Sequence, residues 1–281
     1  MPAVSFADIG KRAKGLLGGD AATGTFTLNP KLTIASTTLA GVSLTTTATQ
    51  KGDKLDATVK AAYTCCKKYS GDVTADPSGK LAVNVSVAEV APGLKLSAAM
   101  VLPDPAASAK LTAEYAHEKV SLKSTVSLSA APVVDVAAAT AVSGLLVGAE
   151  AGYDAKKADL TKYNFVLGYH ASDFQATATV ADQLSTLKLA YVQTLSPAAT
   201  AGAELSRKLK GSEAGATTFA LAYARNLAGG AVAKLKLESS GALSALYQTK
   251  LAGGEKVTGS LQLQATDLSK GPKYGFALDL A

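Results

Sequence analysis

Leu55-Asp-Ala-Thr-Val-Lys-Ala-Ala-Tyr-Thr-Cys-Cys66 alternates along its length. Leu55, Val59 and Tyr63 share one parity, while Asp56, Thr58, Lys60 and Thr64 share the other. Successive side chains of a β-strand point to opposite faces, so the stretch predicts a strand with one apolar and one polar face. The scheme recurs downstream. Leu81, Val83, Val85 and Val87 share a parity, and Leu94, Leu96, Ala98 and Met100 oppose Lys95 and Ser97. Leu111, Ala113 and Tyr115 oppose Lys110, Thr112 and Glu114. Val120, Leu122, Val126 and Leu128 oppose Ser121, Lys123, Thr125 and Ser127, and Ser124 is the exception on the apolar parity. Later, Leu187, Leu189 and Tyr191 oppose Lys188; Ala233, Leu235 and Leu237 oppose Lys234, Lys236 and Glu238; Leu261 and Leu263 oppose Ser260, Gln262 and Gln264. The last strand carries Tyr274, Phe276, Leu278 and Leu280 on one parity.

Turn signals separate these runs, among them Lys51-Gly-Asp53, Asp76-Pro-Ser-Gly79, Ala91-Pro-Gly93, Ser196-Pro197, Gly253-Gly254 and Lys270-Gly-Pro272. Counting runs gives about nineteen strands at a pitch of roughly 13 to 14 residues, the spacing of ~10-residue membrane strands joined by short turns. A soluble sandwich or lipocalin-type barrel also alternates, but it uses about eight strands. The apolar parity is almost free of charge from end to end, as a lipid-facing wall requires. A closed barrel also leaves no backbone group unpaired in lipid. The expected fold is an all-β membrane barrel.

Composition agrees. Hydrophobic residues make up 48% of the 281, yet aromatics only 6%, with no Trp. Such small side chains suit a sheet whose two faces meet different surroundings better than a two-sheet core, which normally uses more rings. The net charge of +6 attracts anions of any kind. The apolar run Val136–Ala149 is too short for a helix that crosses a bilayer, which needs about 20 residues.

One segment has a helical period. In Ser5–Leu17, Phe6, Ile9, Ala13, Leu16 and Leu17 fall on one stripe, with Asp8, Lys11, Arg12 and Lys14 off it. Ser5 and Asp8 have the form of a capping box, and Gly18-Gly19 that of a stop. A basic amphipathic helix at this place also has the form of a mitochondrial presequence, but its Asp8 fits a retained element better.

Chemistry of other kinds finds little footing. Cys65 and Cys66 are the only cysteines and sit side by side. Strand neighbours point to opposite faces and a disulfide between them is strained, so both read as free thiols. His117 and His170 lack metal-ligand spacing, so no metal or cofactor is expected. No phosphate loop or nucleophile elbow occurs, and the expectation is against an enzyme. Gly144, Gly148 and Gly152 share the parity of Glu150 and read as small lumenal residues. Lys60, Lys95, Lys110, Lys123, Lys188, Lys234 and Lys236 have polar-face parity: a solvated sheet face or, in a barrel, a cationic lumenal wall. Aromatics do not interleave with them, so no nucleic acid is expected as a partner.

Four stretches resemble the mitochondrial porins, the voltage-dependent anion channel (VDAC) family. They are Phe6-Ala-Asp8-Ile-Gly10-Lys11 with Ala13-Lys14; Pro92-Gly93-Leu94-Lys95; Tyr191-Val-Gln193-Thr-Leu-Ser196-Pro197 with Gly202-Ala-Glu204-Leu-Ser206; and Lys273-x-Gly275-x-x-Leu278-x-Leu280. Nineteen is the strand number already known for that family, so the count is not independent of the resemblance. The resemblance implies a short N-terminal amphipathic α-helix inside the lumen, with Asp8, Lys11, Arg12 and Lys14 in the anion path. It implies Ile9 as the contact between helix and wall, and Gly18, Gly19 and Gly24 as a hinge. Residues 1–24 would be helix and hinge, and 25–281 the transmembrane barrel. Nucleotide contacts would lie near Leu243, Ser244, Ser260 and Gln262. Val73-Thr-Ala75 occupies the region where some members carry a membrane-facing acid.

The function so implied is a voltage-gated, anion-preferring channel for ATP, ADP, phosphate and chloride in the mitochondrial outer membrane. Its partners would be the lipid bilayer, anionic metabolites including adenine nucleotides, and further copies of itself. Two alternatives stay open: a protein-import pore of the same superfamily, which generally has a longer N-terminal extension, and a soluble β-rich binding protein.

Overall fold

The computed structural model describes residues 4–20, 23–267, 269 and 271–280. Ala21 and Ala22 of the glycine linker, and Lys270 of the last turn signal, lie outside the described residues. Helix α1 spans Lys11–Leu17 and is followed by a two-residue ladder of β1 (Gly19–Asp20) with β2 (Gly24–Thr25). Strands β3 (Lys31–Thr37), β4 (Val42–Lys51), β5 (Lys54–Cys65), β6 (Tyr69–Ala75), β7 (Leu81–Ala91) and β8 (Leu94–Leu102) come next. After one helical turn, α2 (Pro105–Ser108), follow β9 (Lys110–Ala116), β10 (Val120–Ser127), β11 (Val133–Val142), β12 (Leu145–Asp154), β13 (Asp159–His170) and β14 (Phe174–Ala181). The chain ends with β15 (Thr186–Ser196), β16 (Ala199–Lys208), β17 (Thr217–Asn226), β18 (Val232–Glu238), β19 (Ala242–Lys250), β20 (Lys256–Gln264) and β21 (Lys273–Leu280).

Among the described residues, β3 to β21 form a closed barrel of nineteen strands, each hydrogen-bonded to its sequence neighbours. The ring closes where β21 pairs parallel with β3, Ala277 opposite Lys31 and Leu280 opposite Ile34. An odd number of up-and-down strands forces one parallel pair, and this is it.

The alternation seen in the sequence is the alternation of the wall. Leu55, Val59 and Tyr63 are 66%, 47% and 47% exposed, and apolar side chains are likewise exposed on most later strands, from Leu111 and Leu122 to Phe219, Leu235 and Phe276. Exposed aliphatic and aromatic side chains without charge among them make a lipid-facing belt. No described helix is long and apolar enough to cross a membrane, which does not bear on crossing by strands.

By contacts the chain divides into two compact units. One comprises Met1–Ile9, Ala35–Thr47 and Asp56–Val166; the other Gly10–Ile34, Ala48–Leu55 and Leu167–Ala281. The core of the first gathers Ile9, Ala139, Ala141, Leu146 and Val166, with Phe6 and Val4 against it. The core of the second gathers Ala13, Leu16, Leu17, Val192, Ala222 and Ala224.

The N-terminal segment differs from the single helix expected over Ser5–Leu17. Phe6–Asp8 is one 3-10 turn, and Gly10 takes a left-handed conformation (φ 76°) before α1 begins. The apolar period runs on through Gly10 unbroken, so periodicity could not reveal the break. Ser5 does not cap a backbone N–H with its side chain. Its hydroxyl instead donates to the Asp8 carboxylate at 2.7 Å. Gly144 also departs from expectation, lying with Ser143 in the β11–β12 turn, while Gly148 and Gly152 are in β12.

Candidate functional site

The face of the barrel opposite the apolar belt carries the N-terminal segment. In the first unit Ile9 is 2% exposed, packed with Ala139, Ala141, Leu146 and Val166. In the second, Leu16 and Val192 are each 1% exposed, and α1 lies along β15, β16 and β17. The wall strands accommodate both contacts with glycine. A Cβ on Gly148 would stand 2.8 Å from Phe6 Cδ2 and 3.0 Å from Ile9 Cδ1. A Cβ on Gly202 would stand 2.7 Å from Leu16 Cδ2. Glycine inside a strand often marks such a close approach. Gly202→Val therefore lifts Leu16 off β16 and crowds Tyr191 O of β15, 3.0 Å from the new Cβ, at a cost of about 1–3 kcal/mol. The expected readout is a barrel with unchanged circular dichroism whose α1 is cut faster by trypsin; an unchanged cutting rate contradicts the assignment.

Polar contacts tie α1 and the linker down. Arg12 Nη2 donates to Thr194 Oγ1 at 2.7 Å, while Lys11 and Lys14 are exposed on the other side of α1. Asp8 is exposed and held by Ser5. Gly18 caps α1 in an ordinary right-handed conformation, with its N–H donating to Lys14 O at 2.8 Å. Gly19 (φ 134°) and Gly24 (φ 74°) take backbone angles that other residues avoid. They lie in the β1–β2 ladder, so this linker is a hydrogen-bonded pair rather than an open strap.

The strongest tie comes from Lys234, read from the sequence as part of an open cationic wall. Its side chain is instead covered, at 1% exposure. Nζ donates to Gly15 O at 2.9 Å and Gly24 O at 3.2 Å, lies 3.4 Å from Thr23 Oγ1, and stands 5.0 Å from the Phe26 ring centroid. Asp20, beside them, accepts from the Thr23 N–H at 2.6 Å. A lysine can be buried only if its ammonium finds acceptors, and the end of α1 and the linker supply them.

Several of the other wall lysines stand beside carboxylates, though Lys188 lies between Thr179 and Ser206. Lys60 pairs with Asp72 at 3.4 Å, Lys123 with Glu114 at 2.7 Å and Lys236 with Glu238 at 2.6 Å. Lys95 stands opposite Glu114 in the β8–β9 ladder, and Lys110 opposite Ala99. Exposed pairs of this kind add little stability, but they offset part of the wall's positive field.

The residues named for nucleotide contact do not form one set. Leu243 is on the lipid-facing parity, 38% exposed, whereas Ser244 faces the other way and is buried. Gln262 Nε2 donates to Ser244 Oγ at 3.3 Å, and Ser260 Oγ accepts from the Thr27 N–H at 3.1 Å. Ser260 thus holds the chain leading into β3. Sequence reasoning missed Gly15, Thr23, Phe26 and Thr194. The first three lie in the N-terminal segment but act only through Lys234, which is distant in sequence. Among the described residues no group of three His, Cys, Asp or Glu could hold a metal ion.

The family model for eukaryotic porins matches residues 3–275. This chain belongs to the eukaryotic porin family. Porin 5 of the mitochondrial outer membrane of Oryza sativa subsp. japonica is 32% identical over 98% of this chain and 96% of its own length. Porin 2 of Arabidopsis thaliana is 31% identical over 98% and 97%, and an outer plastidial membrane porin of Pisum sativum is 27% identical over the same shares. Among solved structures, a triple mutant of the Rhodopseudomonas blastica porin aligns with a TM-score of 0.47 at 11% identity, over 79% of this porin and 88% of that chain. Proteins of the eukaryotic porin family are channels rather than enzymes, and this porin is a barrel channel of the mitochondrial outer membrane.

Proposed function

We propose that this porin conducts small anions and anionic metabolites, chloride, phosphate, ADP and ATP among them, with a preference for anions and closure at high voltage of either sign. The reading rests on one observation above the rest. A basic helix, Lys11–Leu17, is docked on the non-lipid face of the barrel with Lys11 and Lys14 exposed. Its docked side is apolar and its open side is cationic, so a permeating anion meets positive charge in a space walled by low-dielectric strands. Of the wall lysines, Lys60, Lys123 and Lys236 are paired with carboxylates, which offsets part of the wall's own field. Weak, distributed attraction of this kind selects without trapping, which a conducting pore requires.

In this reading residues 1–24 act as the selective and responsive part and residues 25–281 as the scaffold. Lys234 and the β1–β2 ladder set how firmly the helix is held. Each elementary charge that crosses the membrane field gains about 2.3 kcal/mol per 100 mV, so movement of a helix bearing Lys11, Arg12 and Lys14 would make conductance voltage-dependent.

Planar-bilayer recordings test the reading. The purified porin should open as a large pore whose conductance falls at both polarities, and ATP should carry measurable current. A pore that conducts cations preferentially and is blocked by a basic presequence peptide would instead favour protein import.

A further inference from the structure

Cys65 ends β5, and Cys66 begins the turn to β6. Strand parity alone would send them to opposite faces, yet their Sγ atoms are 3.0 Å apart. The backbone explains it. Cys66 (φ 56°) and Lys67 (φ 58°) are both left-handed, and Lys68 N–H donates to Cys65 O at 3.2 Å. Two left-handed residues in succession at the centre of the Cys65–Lys68 turn, in the three-residue loop between the paired Cys65 and Tyr69, are the geometry for which Asn-Gly is preferred, because residues with larger side chains rarely adopt it. Closing this hairpin does not require sulfur, and Asn-Gly would close it with less strain. What the strained sequence adds is a pair of adjacent free thiols, one half-buried and one exposed, at a hairpin tip beyond the strand. Backbone strain concentrates at functional sites, and here it holds the one cysteine pair of the chain together.

We infer that Cys65 and Cys66 form a bidentate thiol site for a soft trivalent metalloid, with a monosubstituted arsenical as its representative ligand. An atom about 2.3 Å from both sulfurs, a typical soft metal–thiolate bond, subtends an S–X–S angle of about 80° at this separation. That suits a pyramidal centre and excludes a linear one. The hydrogen bond to Cys65 holds the Cys66 thiol above its ordinary pKa, and both cysteines are free rather than joined in a disulfide. Capture then needs no oxidant. The arsenic–oxygen bond of an arsine oxide breaks, two As–S bonds form, and the two thiol protons leave with the oxygen as water.

The test titrates the folded porin in detergent micelles with phenylarsine oxide, following free thiols and intact mass. One arsenical per barrel should bind, both thiols should disappear together, and a small dithiol but not a monothiol should reverse it. Cys65→Ser and Cys66→Ser, both at a turn where folding is checked by circular dichroism, should each weaken capture about 100-fold through loss of the second arm. Two arsenicals per barrel, thiols lost independently, or serine variants that bind as tightly as the parent would overturn the inference.

Discussion

Lys234→Met releases the N-terminal segment from its wall. The substitution keeps the length of the side chain but removes the ammonium. Gly24 O then loses the donor that Nζ supplied, and Gly15 O keeps only the Thr23 hydroxyl at 3.1 Å. Hydrogen bonds to a charged group contribute about 1.5–3 kcal/mol, and a buried carbonyl left without a partner costs about 1–3 kcal/mol. The cation–π contact with Phe26 goes as well. Loss of about 3 kcal/mol shifts the docked fraction by roughly two orders of magnitude. The expected result is rapid tryptic cleavage at Lys11, Arg12 and Lys14 in a barrel that otherwise resists the protease, with noisier open-channel current. Cleavage and noise at the parental level would show that the apolar contacts of Ile9, Leu16 and Leu17 suffice without the lysine.

Reversing Lys11, Arg12 and Lys14 to Glu together inverts ion preference. Each position changes from +1 to −1, so the net charge of one short helix falls by six. Lys60, Lys123 and Lys236 have carboxylates within 4 Å and cannot replace that field. The anion preference proposed for the parent should become a cation preference, visible as a change of sign in the reversal potential under a salt gradient. Lys11 and Lys14 are exposed, so their reversal should little affect folding; Arg12→Glu also removes the hydrogen bond to Thr194, so the Lys11 and Lys14 double reversal serves as the control that keeps this tie. A variant that still prefers anions would move selectivity from the helix to the wall.

The fold was legible because it is written residue by residue. Parity assigns Leu55, Val59 and Tyr63 to lipid and Lys60 to the interior, and the barrel only has to close. The same rule puts Leu243 and Ser244 on opposite faces, as they lie in the structure, although the family resemblance names them together. Other features depend on what is folded over a residue. Parity gives Lys234 its face, but only the docked helix and linker decide that it is covered. The break at Gly10 was hidden because the apolar spacing continues through a left-handed residue as it would through a helix. Cys65 and Cys66 were read as diverging because strand geometry was carried one residue too far, into a turn where φ changes sign.

The reversal potential of the unmodified porin, in a planar bilayer with unequal potassium chloride on its two sides, tests the role of the helix most directly. A potential displaced toward the chloride equilibrium value is the predicted result, as expected if the positive helix faces the permeation path. A potential displaced toward the potassium value would contradict it.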